Sequence, residues 1–200
     1  MIEPNSQRQI ARTVLAAQGI VRLTEFRSSG VTAATVSRMV KDGEVMRLAR
    51  ERSLPVVVDP KYRNFFRYRG ATIFKPNVRE LEAALGAAVN ADYPETLPAT
   101  VVRVGVEHIL LTLGERGMTL FSEHGEVARL PTHAREVYDV VGAGDTVTAY
   151  LASMLAAGAS ASEAATIANI AAGIEVGKLG AATVTPSEIT DYVDAHGLRS

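Results

Sequence analysis

Asp139-Val140-Val141-Gly142-Ala143-Gly144-Asp145-Thr146 is the stretch on which the reading of this chain turns. A β-branched run enters a Gly-Ala-Gly turn, and an acidic residue then opens a long Ala-rich segment of helical character. That order sets bare backbone N–H groups and a helix N-terminus beside one carboxylate. The N–H groups and the helix end stabilise a phosphate, and the carboxylate can take a proton from an attacking hydroxyl. Phosphoryl transfer to an alcohol needs both in one place. The same residues also make an ordinary strand–turn–helix corner, with Asp145 as a helix-start acid. Local chemistry leaves both readings open.

Working outward, the C-terminal three quarters alternate strands with helices. Leu54–Val58 is a short apolar β-branched run ending at Asp59-Pro60, as a buried parallel strand does. Ala71–Phe74 and His108–Leu113 are two more strands, with a helix over Val78–Leu85 between them. Met118–Phe121 and Val127–Leu130 form a meander turned at Gly117 and His124-Gly125. Asp145–Ala157, Ser160–Val176 and Pro186–Ala195 are helices, the second opening on the capping-box pattern Ser160-x-x-Glu163. The expected fold class is therefore α/β, a parallel sheet covered on both faces, with ligands at the carboxyl ends of its strands. Asp59, Asn77, Thr112 and Asp145 all lie just past predicted strands.

Two of these positions carry motifs. Asn77-Val78-Arg79-Glu80 is a capping box that needs no ligand, or an amide and a carboxylate set near hydrated Mg²⁺ and phosphates. Thr112-Leu113-Gly114-Glu115-Arg116-Gly117 is a plain turn, or a loop whose glycines admit a ligand and whose hydroxyl bonds a phosphate or ribose. It lacks the Gly-Lys-Ser/Thr ending of a Walker A loop.

Composition excludes several classes. With 47% hydrophobic and 22% charged residues in 200, the chain is globular and long enough for a good core. It contains no apolar run of membrane-span length, and Met1–Arg12 lacks a signal core. The lack of cysteine excludes disulfides and thiolate metal sites and fits a cytoplasmic protein. The four histidines show no ligand spacing. Charge is uneven: residues 1–50 carry eight Lys/Arg against four Asp/Glu, the remainder thirteen against eighteen. This divides the chain into residues 1–50 and 51–200, two parts with different histories or partners.

In residues 1–50, helical patterns cover Gln7–Gln18, Glu25–Ser28 and Ala33–Asp42, and Glu44–Ala49 alternates like a strand. Three short helices and a strand over Val14–Arg50 resemble the winged helix-turn-helix module of AbiEi-type antitoxin regulators. That resemblance implies DNA contact by Thr32, Ala34, Thr35, Ser37 and Arg38, with Arg47 and Arg50 on phosphates. The competing reading is a small helical cap with solvated arginines.

Together the motifs of residues 51–200 resemble the PfkB (ribokinase-like) carbohydrate kinases. The family's C-terminal signature matches Asp139–Ala152, except that Tyr150 stands where Gly or Ala is usual. Its Asn-x-x-Glu element matches Asn77–Glu80, and its Thr-x-Gly-x-x-Gly loop matches Thr112–Gly117. Val57-Val58-Asp59-Pro60-Lys61, Arg67-Tyr68-Arg69-Gly70-Ala71-Thr72, Ala134–Asp139 and Gly177-Lys178-Leu179-Gly180 look most like the branch acting on D-glycero-β-D-manno-heptose 7-phosphate, on the route to lipopolysaccharide core.

The resemblance implies Asp145 as general base and the N–H groups of Gly142, Ala143 and Gly144 as the anion hole. It implies Asn77 and Glu80 around Mg²⁺, Glu80 through water, and Thr112, Gly114, Gly117 and Asn169 around ATP. A monovalent cation such as K⁺ is implied beside Asp139–Val141. Lys61, with Arg67 and Arg69, would meet an anionic sugar phosphate. The family's chains are longer, and their first half supplies most sugar contacts and the lid. Two expectations follow: a kinase acting as a homo-oligomer or with a completing partner chain, or an inactive chimera that keeps nucleotide binding or binds DNA through residues 1–50.

Overall fold

The computed structural model describes residues 4–17, 23–60, 62–90, 97–132, 142–180 and 182–197. Its sheet is built around β3 (His108–Thr112), where Ile109, Leu110 and Leu111 are all buried. A strand so uniformly apolar must be covered on both faces. β1 (Val57–Val58) and β2 (Ile73–Phe74) lie parallel to it on one side, and β4 (Met118–Ser122) and β5 (Gly125–Leu130) follow antiparallel on the other, in the order β1-β2-β3-β4-β5. Register pairs Val57 with Ile73, Ile73 with His108 and Leu110 with Leu120. The parallel part and the meander both match expectation.

Alternate residues feed two cores. Val58, Phe74, Ile109, Leu111 and Phe121 pack with Leu81 of α5 (Val78–Leu85) and with Leu97, Val101 and Val104 of α6 (Leu97–Val104). On the opposite face Ile73, Leu110, Met118 and Leu120 meet Val147 and Leu151 of α7 (Ala143–Ala156). Ala164, Ala165 and Ala168 of α8 (Ala161–Val176) complete that layer. Ile189 of α9 (Pro186–Ala195) covers Ile170 and Ala171 on α8's outer side. α6 has no counterpart in the elements expected from sequence, although Leu97, Val101 and Val104 stand at helical spacing.

The first residues form α1 (Pro4–Ala17), α2 (Leu23–Ser28), α3 (Ala33–Lys41) and α4 (Glu44–Glu51). The strand expected over Glu44–Ala49 is therefore a helix, and the wing of the winged motif does not form. Its alternation has another cause. Met46 enters the sheet core beside Phe65, whereas Val45 and Leu48 join a separate cluster with Ala11, Phe26, Val31 and Met39. A helix squeezed between two cores buries more than one stripe, which imitates a period of two. Glu44 is buried too, paired with Arg12 at 2.6 Å and Arg8 at 3.3 Å.

The groove-facing role expected of Thr35 also fails. Thr35 is 2% exposed, and its hydroxyl donates to Gln7 Oε1 at 2.7 Å. Arg38 is exposed, with its Nε donating to the Ala34 carbonyl at 3.3 Å. Among the described residues no helix is long and apolar enough to cross a membrane.

Candidate active site

Chain direction in β1, β2 and β3 carries Asp59, Lys75, Asn77 and Thr112 to one end of the sheet. The start of α7 closes on them from the opposite side. Asp59, Lys75, Asn77, Glu80, Thr112, Gly142, Gly144 and Asp145 line a polar cavity of about 280 Å³. Asn77, Thr112 and Gly144 also border a larger cavity of about 580 Å³. Gly114, Gly117, Met118, Ala143, Val147, Asn169, Ala172, Gly173 and Val176 supply much of that second, mostly apolar wall.

Each wall is held by local structure. Asn77 Oδ1 accepts the Glu80 N–H at 2.8 Å, and Glu80 Oε2 accepts the Asn77 N–H at 2.9 Å. The capping box forms, and by fixing both side chains it also sets them in the wall of the polar cavity. Thr112 bridges to the same loop, its N–H donating to the Pro76 carbonyl at 3.1 Å. Gly117 has φ +87°, and a side chain there would collide with the Leu130 carbonyl. Asn169 is 3% exposed and donates Nδ2 to the Pro131 carbonyl at 2.8 Å, which ties α8 to the end of β5.

α7 starts differently. Gly142 is its N-cap, at φ +100° and with no side-chain cap. Asp145 is exposed and faces the polar cavity from the first turn. The N–H groups at such a start lack intrahelical acceptors, and the helix end carries partial positive charge. Tyr150, the departure from the usual pattern, lies away from this turn and donates its hydroxyl to the Val184 carbonyl at 2.8 Å. Burial, with the Glu188 charge second, holds its phenol above the ordinary range.

The structure thus gathers Gly142, Ala143, Gly144, Asp145, Asn77, Glu80, Thr112, Gly114, Gly117 and Asn169 around one cleft. Lys61, and the Asp139–Val141 segment expected beside a monovalent cation, lie outside the described residues. Sequence reasoning overlooked Lys75. It is only 5% exposed, 3.4 Å from Asp59 Oδ1, and its Nζ stands 3.7 Å from where a Cβ on Gly144 would be. A lysine buried this deeply, with its ammonium turned to a polar cavity, is placed for an anion. Its signal was a charged residue between the apolar strand Ile73-Phe74 and Pro76. The arrangement can hold a phosphate chain between Lys75 and the start of α7, and can deprotonate a hydroxyl at Asp145.

Residues 14–188 match the pfkB family carbohydrate kinase description, across the boundary that charge placed at residue 50. The chain is similar to the "Bifunctional protein HldE" of Pelobacter propionicus, 43% identical over 192 residues that cover 94% of this chain and 38% of the relative. It is 50% identical to the Coxiella burnetii HldE over 142 residues, 70% of this chain and 30% of the relative. Among solved structures, Arabidopsis thaliana ribokinase complexed with ribose and ATP superposes with a TM-score of 0.65 at 25% identity, covering 74% of this chain and 50% of that one. Escherichia coli phosphofructokinase-2 in complex with potassium shares the fold, with a TM-score of 0.68, 18% identity and coverage of 80% and 53%. The chain therefore spans well under half of the HldE relatives and about half of the solved kinases.

Proposed function

We infer, for a chain that belongs to the pfkB family of carbohydrate kinases, that this cleft serves phosphoryl transfer from ATP to a sugar hydroxyl. One observation carries the reading. The Asp145 carboxylate, the uncapped start of α7 and the buried Lys75 ammonium meet in a single polar cavity that opens onto an apolar one.

Asp145 accepts the proton of the attacking hydroxyl. The N–H groups of Gly142, Ala143 and Gly144 hold the charge that develops on the transferring phosphoryl group. Lys75 adds positive charge from the facing wall. The larger cavity has the size and apolar lining that a nucleoside requires, with Thr112, Gly114, Gly117 and Asn169 on its border. Mg²⁺, which neutralises phosphate charge when bound, fits the residues present: Asn77 and Glu80 hold an amide and a carboxylate at the polar wall, and this ion keeps several waters. A monovalent cation such as K⁺ beside Asp139–Val141 belongs to the same reading and draws on the family resemblance.

The acceptor we assign is D-glycero-β-D-manno-heptose 7-phosphate, supported by the heptose-type segments of the sequence and the similarity to HldE. The test is ADP release that depends on this sugar phosphate, measured with the wild-type chain and Asp145→Asn. Sugar-dependent turnover in the wild type only is expected. Binding of ATP without turnover in either would reduce the cleft to a nucleotide site, and no binding at all would sink the reading.

A further inference from the structure

The cleft lies past the carboxyl ends of β2 and β3, whereas Gly70 and Gly105 stand before their amino ends. The Gly70 N–H donates to the Gly105 carbonyl at 2.7 Å, and both glycines have positive φ, +84° and +78°. Two guanidinium groups rest on this pair. Arg50 Nη2 lies 2.9 Å from where a Cβ on Gly70 would stand, and Arg69 Cζ lies 2.7 Å from one on Gly105. Arg103, in the last turn of α6, sits over the Phe66 ring at 5.6 Å from its centroid. Arg67, beside Phe66, donates Nη1 to the Lys41 carbonyl at 3.3 Å. Phe66 is 40% exposed and Val102 57%. The resemblance to sugar kinases implied that Arg67 and Arg69 meet a sugar phosphate, but neither lines the cavities of the cleft.

All four arginines are exposed, and none is ion-paired with a carboxylate among the described residues. Elsewhere arginines do find acids: Arg8, Arg12, Arg47 and Arg129 each face one. In residues 51–200 acids outnumber bases, eighteen to thirteen, so this end of the sheet is a positive island on a negative body. An arginine already laid against backbone loses less rotamer freedom when it binds, and only glycine leaves room for it at these two positions. Arginine interspersed with exposed aromatic and aliphatic side chains is the composition of a protein interface. A nucleic-acid surface needs a broader basic field than a chain of net charge −1 offers.

We propose that this face docks an acidic polypeptide segment, whose carboxylates pair with Arg50, Arg67, Arg69 and Arg103 while an aliphatic side chain seats on Phe66 and Val102. The planar guanidinium fork matches a carboxylate two oxygens at a time. Because the face stands at the far end of the sheet from the cleft, the docked segment leaves the approach to Asp145 clear. The inference does not require the kinase reading.

The experiment is fluorescence anisotropy of a labelled peptide of Glu-Glu-Leu repeats, titrated with the full chain at low salt. An all-glutamate peptide of equal length and a DNA duplex are run beside it. The mixed peptide is expected to bind tighter than either, and Arg69→Glu and Arg103→Glu should each weaken it about tenfold. Phe66→Ala should erase the advantage of the mixed peptide over the all-glutamate one. Arg116→Glu, an equal charge change at the cleft end of the sheet, should leave binding as in the wild type. An equal loss in Arg116→Glu, tighter binding of the duplex, or no binding of the mixed peptide would overturn the proposal. So would self-association in sedimentation that disappears in Arg103→Glu, which makes a second copy the occupant. Should Arg69→Glu fail to fold, Arg103→Glu and Phe66→Ala decide the matter, since both side chains lie on the surface. The shift of unfolding midpoint induced by ATP is measured in each variant, so loss of this face and loss of the cleft are distinguishable.

Discussion

Four helices of the α/β part, α5, α7, α8 and α9, begin in two ways. α5, α8 and α9 close their first turns with capping boxes, Asn77 with Glu80, Ser160 with Glu163 and Thr185 with Glu188. α7 begins on Gly142 with no side chain over its N-terminus. The first three satisfy their leading N–H groups from within the chain, which stabilises each helix by about 1 kcal/mol. The fourth forgoes that stabilisation and leaves the same donors facing a polar cavity. Local stability and ligand recognition compete for the same few N–H groups, and the chain resolves the competition helix by helix.

The contrast can be broken hardest at the uncapped helix. Asp145→Asn should lower kcat by about a thousandfold, within the range for losing a positioned general base, while calorimetry finds ATP affinity nearly unchanged. Lys75→Met removes the charge facing that helix. A loss of about a hundredfold in kcat/KM is expected, as for other groups aimed at developing charge. Unchanged steady-state kinetics in Lys75→Met would disconnect this lysine from the phosphates.

The capped helices sharpen the contrast from the other side. Asn77→Ala and Ser160→Ala should each lower unfolding free energy by about 1 kcal/mol in urea titrations. Only Asn77→Ala should also weaken ATP binding, since Ser160 lies outside both cavities. Equal effects of the two on ATP would erase the distinction between a cap that serves the site and one that serves the helix. The smallest effect concerns Glu188. Its hydrogen bond with Lys178, followed by those from the Thr185 backbone and hydroxyl, holds its carboxyl down to about 2. A depressed carboxyl stabilises the fold above its ordinary range and loses that contribution as pH falls toward about 2. Between pH 4.5 and about 2, Glu188→Gln should therefore lose less stability than the wild type. Parallel acid-unfolding curves would remove Glu188 from that account.

Much of this was legible because it is local. The capping boxes at Asn77 and Ser160 declare themselves over four residues, and the Gly-Ala-Gly turn over three. Strands buried on both faces announce themselves as uninterrupted apolar runs, as Ile109-Leu110-Leu111 does. What escaped depends on distant neighbours. Lys75 gains its meaning from Gly144, and Arg69 from Gly105, partners far along the chain. Thr35 has the spacing of a groove residue, but its hydroxyl is held by Gln7, 28 residues earlier in the chain. The uneven charge of residues 1–50 suggested a foreign module, but Arg8 and Arg12 face acids of the same segment, Asp42 and Glu44. That pairing accounts for part of the basic excess without any external polyanion.

The position of α4 has a consequence for how the protein melts. Met46 and Leu48 are only two residues apart, yet one is inserted among the residues under the sheet and the other among the N-terminal helices. Loosening either packing unit withdraws an anchor from its neighbour through a rod barely two turns long. Heat should consequently register in calorimetry as one shared peak rather than a staircase, and trimming Leu48 to alanine should bring that peak down without splitting it.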